Sequence, residues 1–299
     1  MKGAVIDLGT NTFNLLVFEQ TGGQIHVLYN ERVPVGLGMG GINEKIIAPE
    51  AFERGVKTIE VYVKKAHSFG VTNIRAFGTS AMRDARNVKS FVEEVFSKTN
   101  LQIEVIDGIR EAELIYKGVQ SIHTFEEKSC IMDIGGGSTE FIFVENQQIV
   151  ASQSFNIGVS RLLQGLDLSD PLNEEDITLV EEFLSYKTGT FFQKNSASTL
   201  IGSSGSFETF YTLMGLREPI SENEITAFDF DQLMMVLDEL IQSTQAQRDT
   251  WDNIIEIRKK MIHIAALKTR WVIEQFGIKQ VYVSPASLKE GVMSEMIIT

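Results

Sequence analysis

The sequence predicts a duplicated α/β fold: two homologous domains, each a mixed sheet flanked by helices, with a cleft between them. Three observations predict it. The run DLGTNTFNLLVFE, starting at Asp7, returns as DIGGGSTEFIFVE, starting at Asp133, with no gap over thirteen positions. Asp7 meets Asp133, Gly9 meets Gly135, Thr12 meets Ser138 and Glu19 meets Glu145, a separation too long for a solenoid repeat. Around both copies, strand-like stretches alternate with stretches of helical periodicity, as in a layered α/β protein. With 299 residues the chain can bury two cores.

Each copy reads as an apolar strand, an Asp-apolar-Gly turn with small polar residues, and a second strand. A third run rich in β-branched and apolar residues follows at 24–35 and at 147–156. Residues 49–69 carry Phe52, Val56, Ile59, Val63 and Ala66 at helical spacing and stop at Gly70. A strand at 71–77, a helix at 87–98, a strand at 101–106 and a helix at 110–122 complete the first half. The second half is more helical, with helices expected at 173–186, 229–242 and 251–276 and strands near 199–201 and 280–283. The boundary falls near 122–128, giving domains 1–124 and 125–286, with a last helix at about 287–299 free to pack back on the first.

A formal charge of −13 argues against wholesale binding of nucleic acid or an anionic membrane. The one cysteine, Cys130, permits no internal disulfide and reads as a small buried hydrophobe in a strand. The chain opens on a strand-like run without a signal-peptide pattern, and no apolar stretch approaches the ~18 residues of a membrane helix. A soluble, cytoplasmic protein is expected.

The two turns carry the chemistry. Gly-rich turns between strands expose backbone N–H groups without Cβ obstruction, which suits an anion. Thr10, Asn11 and Thr12 add side-chain donors in the first turn, and Gly135, Gly136, Gly137, Ser138 and Thr139 form the second. Asp7 and Asp133 place a carboxylate beside each. Bare phosphate would be repelled there, so a hard divalent cation, Mg²⁺ or Mn²⁺, is expected between them. The ordinary alternative is a pair of tight hairpins that need glycine for backbone reasons only.

With these motifs in view, the chain resembles the exopolyphosphatase/guanosine pentaphosphate phosphohydrolase family of the actin-like ATPase superfamily. DLGTNTFNLLV and DIGGGSTEF are similar to its phosphate motifs, and GTSAMRDARN (78–87) and DGIREAELIYKG (107–118) match two further segments in order. GVSRL (158–162), GSSGSFE (202–208) and LKEGVM (288–293) match less closely. The resemblance implies two actin-like (ribonuclease H-like) domains with five-stranded mixed sheets and an active-site cleft between them. It implies Glu111 as the general base that activates water. It also implies Asp133 and Glu140 as metal- and water-positioning carboxylates, while Asp7 is a metal-ligand candidate from its place beside the first turn. Arg83 and Arg161 become candidate phosphate-binding residues, around which a local basic lining is expected.

Physical chemistry is consistent with these roles. In-line hydrolysis needs a carboxylate opposite the leaving phosphate, and Glu113, the competing carboxylate, lies about 200° further round the helix. Ordinary readings compete at each position: a solvated helix-start Glu111, an outward-facing Glu140, a surface ion pair at Arg83, and Arg86 in its place. Asn14 stands where the second copy has Glu140, as in a site with one reacting end. The chain departs from the family pattern at Gly36-Leu37-Gly38, where an Arg is common, and at Ser204-Gly205-Ser206, where a Gly-Gly-Thr turn is common. It also lacks the extra C-terminal domains of longer members, which suggests a preference for shorter chains.

Other features read as ordinary. The four histidines show no metal-ligand spacing, and neither GxxxxGK[ST] nor HExxH occurs. Phe191, Phe192, Phe207, Phe210 and Tyr211 read as packing, and Met234 and Met235 as core. The expected activity is removal of the terminal phosphate from inorganic polyphosphate, guanosine pentaphosphate or both. A kinase or ATPase of the same superfold would need an acceptor pocket with its own base. A non-catalytic sensor would have no use for Glu111. Oligomeric state, a homodimer included, is open.

Overall fold

The structure is a computed structural model that describes residues 1–215 and 219–298; the expected last-helix residue 299 lies outside the described residues. The first half begins with the antiparallel strands β1 (Lys2–Leu8), β2 (Thr12–Thr21) and β3 (Gln24–Pro34). There follow α1 (Pro49–Ser68), β4 (Ile74–Gly78), α2 (Ser80–Asp84), α3 (Val88–Thr99), β5 (Ile103–Val105) and α4 (Gly108–Gln120). The second half repeats the meander with β6 (Ser129–Ile134), β7 (Thr139–Glu145) and β8 (Gln148–Phe155). It continues with α5 (Val159–Gly165), α6 (Glu174–Lys194), β9 (Thr199–Gly202), α7 (Gly205–Leu213) and β10 (Thr226–Ala227). The chain ends in α8 (Phe230–Gln242), α9 (Gln245–Asp249), α10 (Glu256–Lys259), α11 (Ile262–Phe276), β11 (Gln280–Val283) and α12 (Leu288–Ile298).

The sheets run β3-β2-β1-β4-β5 and β10-β11-β9-β6-β7-β8. Apart from the two-residue β10, the second order reproduces the first strand for strand, so the duplication seen in the turns extends through both domains. The expected five strands per sheet become five and six, because β10 pairs antiparallel with the outer edge of β11.

Strand alternation sorts side chains into three cores. In β1, Ala4, Ile6 and Leu8 face α1 and α3, whereas Val5 faces the other way. In β6, Cys130, Met132 and Ile134 join the outer core of the second half, whereas Ile131 faces inward with Val5. The inner faces of both sheets therefore share one core, and the residues filling it come from α4 and α12, among them Leu114, Ile115, Leu288 and Val292. Two helices sandwiched between two sheets hold the halves together. The same parity aims the carboxylates beside the two turns: Asp7 is two residues beyond Val5 and Asp133 two beyond Ile131, so both point from the inner faces where the sheets meet.

α12 is also held to α4 by charge. Glu295 accepts from Arg110 at 2.5 Å and from Lys117 at 2.6 Å, with Arg75 at 3.5 Å. Partial burial alone would raise its pKa, but the Arg110 and Lys117 hydrogen bonds and charges overrule it and hold the carboxyl down to about 2. A depressed carboxyl stabilises above its unfolded value of 4.5 and loses that contribution as pH falls towards 2. Glu295→Gln is thus expected to cost about 1–2 kcal/mol at pH 7, discounted for partial solvent screening. Urea unfolding should show the gap between variant and wild type closing from pH 4.5 downward; a gap independent of pH would contradict this.

Three expectations are corrected. The helix expected at 251–276 breaks into α10 and α11 at Met261, whose φ of −136° leaves the helical region. Fully buried Arg248 takes the Lys259 carbonyl as an acceptor at 2.8 Å, so that carbonyl cannot continue the helical ladder. The helix expected at 173–186 runs on to Lys194, carrying Phe191 and Phe192 into contact with Phe143, Trp271 and Phe276. Met235 is 72 % exposed rather than core, since the buried stripe of α8 is Leu233, Val236, Leu237, Leu240 and Ile241.

Candidate active site

A cleft of about 1100 Å³, its open mouth included, lies between the two halves, and both glycine turns line it. The turns present their amides because their carbonyls are occupied behind them. Gly135, Gly136 and Gly137 accept from the backbone of Val159, of Ser160 and Arg161, and of Gly158 respectively. A trans peptide points its N–H opposite its C=O, so the amides of Gly136, Gly137 and Ser138 turn away from α5. In the first turn, Thr10 accepts from Gly38, and Asn11 from Val35 and Gly36. The glycine-rich segment 36–41 is therefore a brace behind that turn. The glycines serve here by lacking a Cβ. None of Gly9, Gly135, Gly136 and Gly137 has a positive φ; glycine is required by close approach. A Cβ on Gly136 would lie 2.6 Å from the Asn11 side chain of the opposite half.

Each aspartate sits in a cross-strand pair, with an amide in the first copy and a second carboxylate in the other. Asp7 is registered with Asn14 and Asp133 with Glu140, the same position in each copy. Asn14 donates to Asp7 at 2.8 Å. Asp133 accepts from Ser203 at 3.0 Å and Ser287 at 2.8 Å, and Glu140 accepts from Ser154 at 2.6 Å. Glu140 faces inward and is buried, and Glu111, only 6 % exposed, lies in the first turn of α4, whose start is capped by Asp107. Glu111 is therefore neither surface-solvated nor merely complementary to the helix dipole.

Burial pushes Asp7 up to about 6, against the Asn14 hydrogen bond, and pushes Asp133 up to about 7 with help from the charge of Glu140. Glu140 is raised by burial despite the Ser154 and Ser138 hydroxyls. Glu111 is raised well above the carboxylate range by burial and by Glu140, with Arg83 opposing. Four acids, two of them buried and two partly exposed, share one cleft.

Arg83 donates to Glu111 at 2.8 Å and to the Ile106 carbonyl at 3.0 Å. It grips the proposed base rather than lining the cleft. Arg161 is corrected outright as a phosphate ligand. Its guanidinium bonds Asp84 at 2.6 Å together with the carbonyls of Gly137 and Ile42, so it locks the second turn to the first half from behind. The basic lining lies elsewhere: Arg32, Arg258 and Lys289 reach the cleft wall. Arg32 also spans the halves, bonding Glu208 at 2.6 and 3.1 Å. No group of three or more His, Cys, Asp or Glu among the described residues is arranged to hold a metal ion, so Asp7, Asp133 and Glu140 do not form a joint cage.

A family model described as the Ppx/GppA phosphatase family matches residues 16–299. The chain belongs to that family. It is similar to the solved exopolyphosphatase of Cytophaga hutchinsonii, with 32 % identity and a TM-score of 0.96 over 100 % of this chain and 98 % of that one. It also shares the fold of the Aquifex aeolicus Ppx/GppA protein, at 24 % identity and a TM-score of 0.83 over 100 % of this chain and 98 % of that one. A putative exopolyphosphatase of Haemophilus influenzae is 28 % identical over 97 % of this chain and 90 % of its own length. A guanosine-5'-triphosphate,3'-diphosphate pyrophosphatase of Aeromonas hydrophila is 24 % identical over 97 % of this chain. This chain spans 58 % of that relative's length. The fold is thus the actin-like one expected, and no helix among the described residues is long and apolar enough to cross a membrane.

Several residues of this Ppx/GppA family member escaped the sequence reading. Ser203 and Lys289 sat inside motifs noted only as weak matches. Arg32 and Arg258 belong to an ordinary strand and an ordinary helix, with nothing local to mark them. Lys268 had no signal at all: fully buried in α11, it donates to Thr139 and, at 2.6 Å, to the Ile157 carbonyl. Burial pushes it down to about 7, with Glu140 opposing. Its bonds tie the start of β7 to the segment that braces the glycine turn.

Proposed function

We propose that the protein is a divalent-metal-dependent phosphohydrolase that removes the terminal phosphate of inorganic polyphosphate, guanosine pentaphosphate or both. The observation carrying this reading is Glu111, buried in the same cleft as both glycine turns and gripped by Arg83. Amides of the two turns, with the Thr10 and Thr12 hydroxyls, bind phosphate oxygens, while the Ser138 hydroxyl serves Glu140. Arg32, Arg258 and Lys289, which pair with Glu208 and Glu290 in this structure, are the cations of the cleft wall that would offset the substrate's charge. Glu111 accepts a proton from water as the water oxygen bonds the terminal phosphorus. The anhydride P–O bond breaks, and the shortened chain leaves with its electron pair.

The donor set fits a hard cation, since the acids and the hydroxyls around them offer oxygen ligands alone. Asp133 with Glu140, or Asp133 with Asp7 across the cleft, would supply the one or two carboxylates that Mg²⁺ typically takes beside phosphate and water oxygens. Such an ion would neutralise charge on the phosphates and keep the acids of the cleft ionised. In this reading residues 1–124 with α12 form one jaw and 125–286 the other. Phosphate release should be measured on polyphosphates of defined length and on guanosine pentaphosphate, with Mg²⁺ or Mn²⁺. Release from at least one is expected, and release from neither by folded protein overturns the proposal.

A further inference from the structure

Four buried side-chain atoms among the described residues lack a hydrogen-bond partner: Ser80 Oγ, Ser204 Oγ, His263 Nδ1 and Arg270 Nε. Arg270 keeps ion pairs through its other nitrogens, and His263 lies outside the cleft. Ser204 lines the cleft, in a residue that is partly exposed and followed directly by the glycine that opens α7. Ser80 is different: the residue is 1 % exposed, and it too lines the cleft. A hydroxyl buried without a partner destabilises a fold that alanine would serve as well, so such a group calls for a ligand.

The surroundings say which ligand. A Cβ on Gly137 would stand 2.5 Å from Ser80 Oγ and 2.7 Å from Thr10 Oγ1. Two hydroxyls of the first half therefore converge on the glycine turn of the second, whose Gly137 amide is directed away from α5. The two hydroxyls meet beside Gly137, and Ser80 Oγ has no protein partner there. Three residues further along the same short helix, Arg83 holds Glu111. One turn of backbone thus carries both the unpaired donor and the residue that positions the base.

We infer that the Ser80 hydroxyl donates to a non-bridging oxygen of the terminal phosphoryl group, joining Thr10 and the Gly137 amide around the reacting phosphorus. The inference rests on the phosphohydrolase reading and assigns a further catalytic residue within it. Negative charge is spread over the equatorial oxygens during transfer, so a fixed donor there lowers the barrier. Ser80 forms no covalent bond, and its proton stays on the serine.

The test compares Ser80→Ala and Ser80→Cys, the latter similar in size but a weaker donor. For Ser80→Ala, kcat for phosphate release is expected to fall about tenfold to a hundredfold. Its KM should stay within a few-fold and its melting temperature should hold or rise. Ser80→Cys should fall between the two. A kcat for Ser80→Ala within twofold of wild type overturns the inference, and so does a loss matched by a lower melting temperature in both variants. Calorimetric titration with inorganic phosphate separates this from the parent reading. If wild-type protein hydrolyses neither substrate, the phosphohydrolase reading fails, and Ser80 is judged on phosphate affinity alone. Weaker binding by Ser80→Ala supports it, and equal binding overturns it.

Discussion

Glu111→Gln is expected to lower kcat by about a hundredfold to ten-thousandfold while leaving phosphate affinity nearly unchanged, because the amide keeps the shape but cannot accept the proton. Folding should not suffer. The glutamate is raised by burial and by Glu140, so its ionised form is disfavoured in the fold, and an uncharged replacement removes that penalty. The pH profile gives a second check. A base must be deprotonated, so kcat/KM should rise with pH through the Glu111 titration. Arg83 favours the charged form; Arg83→Met should therefore move the acid limb to higher pH, with Arg83→Lys between it and wild type. Retained turnover in Glu111→Gln, or an acid limb insensitive to Arg83, would assign the base elsewhere.

Gly291→Val is expected to destabilise the protein by about 3 kcal/mol and to cut activity about a hundredfold, although residue 291 touches no part of the cleft. The reason is the crossing of α12 on α4. A Cβ on Gly291 would come 1.9 Å from the Leu114 carbonyl oxygen, and one on Gly118 would come 2.0 Å from that of Ser287. These obstacles are backbone atoms, which cannot rotate aside, so the helices would have to separate. α4 carries Glu111, and a shift of about 1 Å at a reacting group is costly. Gly189→Ala in α6 is the control. Nothing lies within 4 Å of its added Cβ, and the helix should gain up to about 1 kcal/mol. Chemical denaturation and phosphate-release rates measure both. Unchanged activity in Gly291→Val would show that the crossing does not set the position of Glu111.

How the site could be read in advance follows from what kind of signal each residue leaves. The turns at 9–12 and 135–138 were legible because short-range chemistry marks them: glycine where backbone must approach closely, and small hydroxyls beside an acid. Their recurrence in two copies turned an ambiguous hairpin signal into a domain duplication. The helix 251–276 was misread because its apolar pattern runs on through Met261. The break comes from Arg248, which binds the Lys259 carbonyl from a neighbouring element. α7 left only a turn signature at GSSG.

The sequence by itself determined the doubled α/β plan, the two strand-turn-strand units and the place of Asp7 and Asp133 beside the turns; that Glu140 faces inward came from the structure. A place beside a turn is a local property that survives any arrangement of the domains. Only the tertiary structure decided which cations reach the cleft, since Arg32 and Arg258 arrive on elements from opposite halves while Arg161 is drawn away by Asp84. It alone showed that Arg83 holds Glu111 and that the Ser80 hydroxyl has no partner. Long, flexible charged side chains take their partners from whatever packing brings within reach, and no spacing along the chain records that choice.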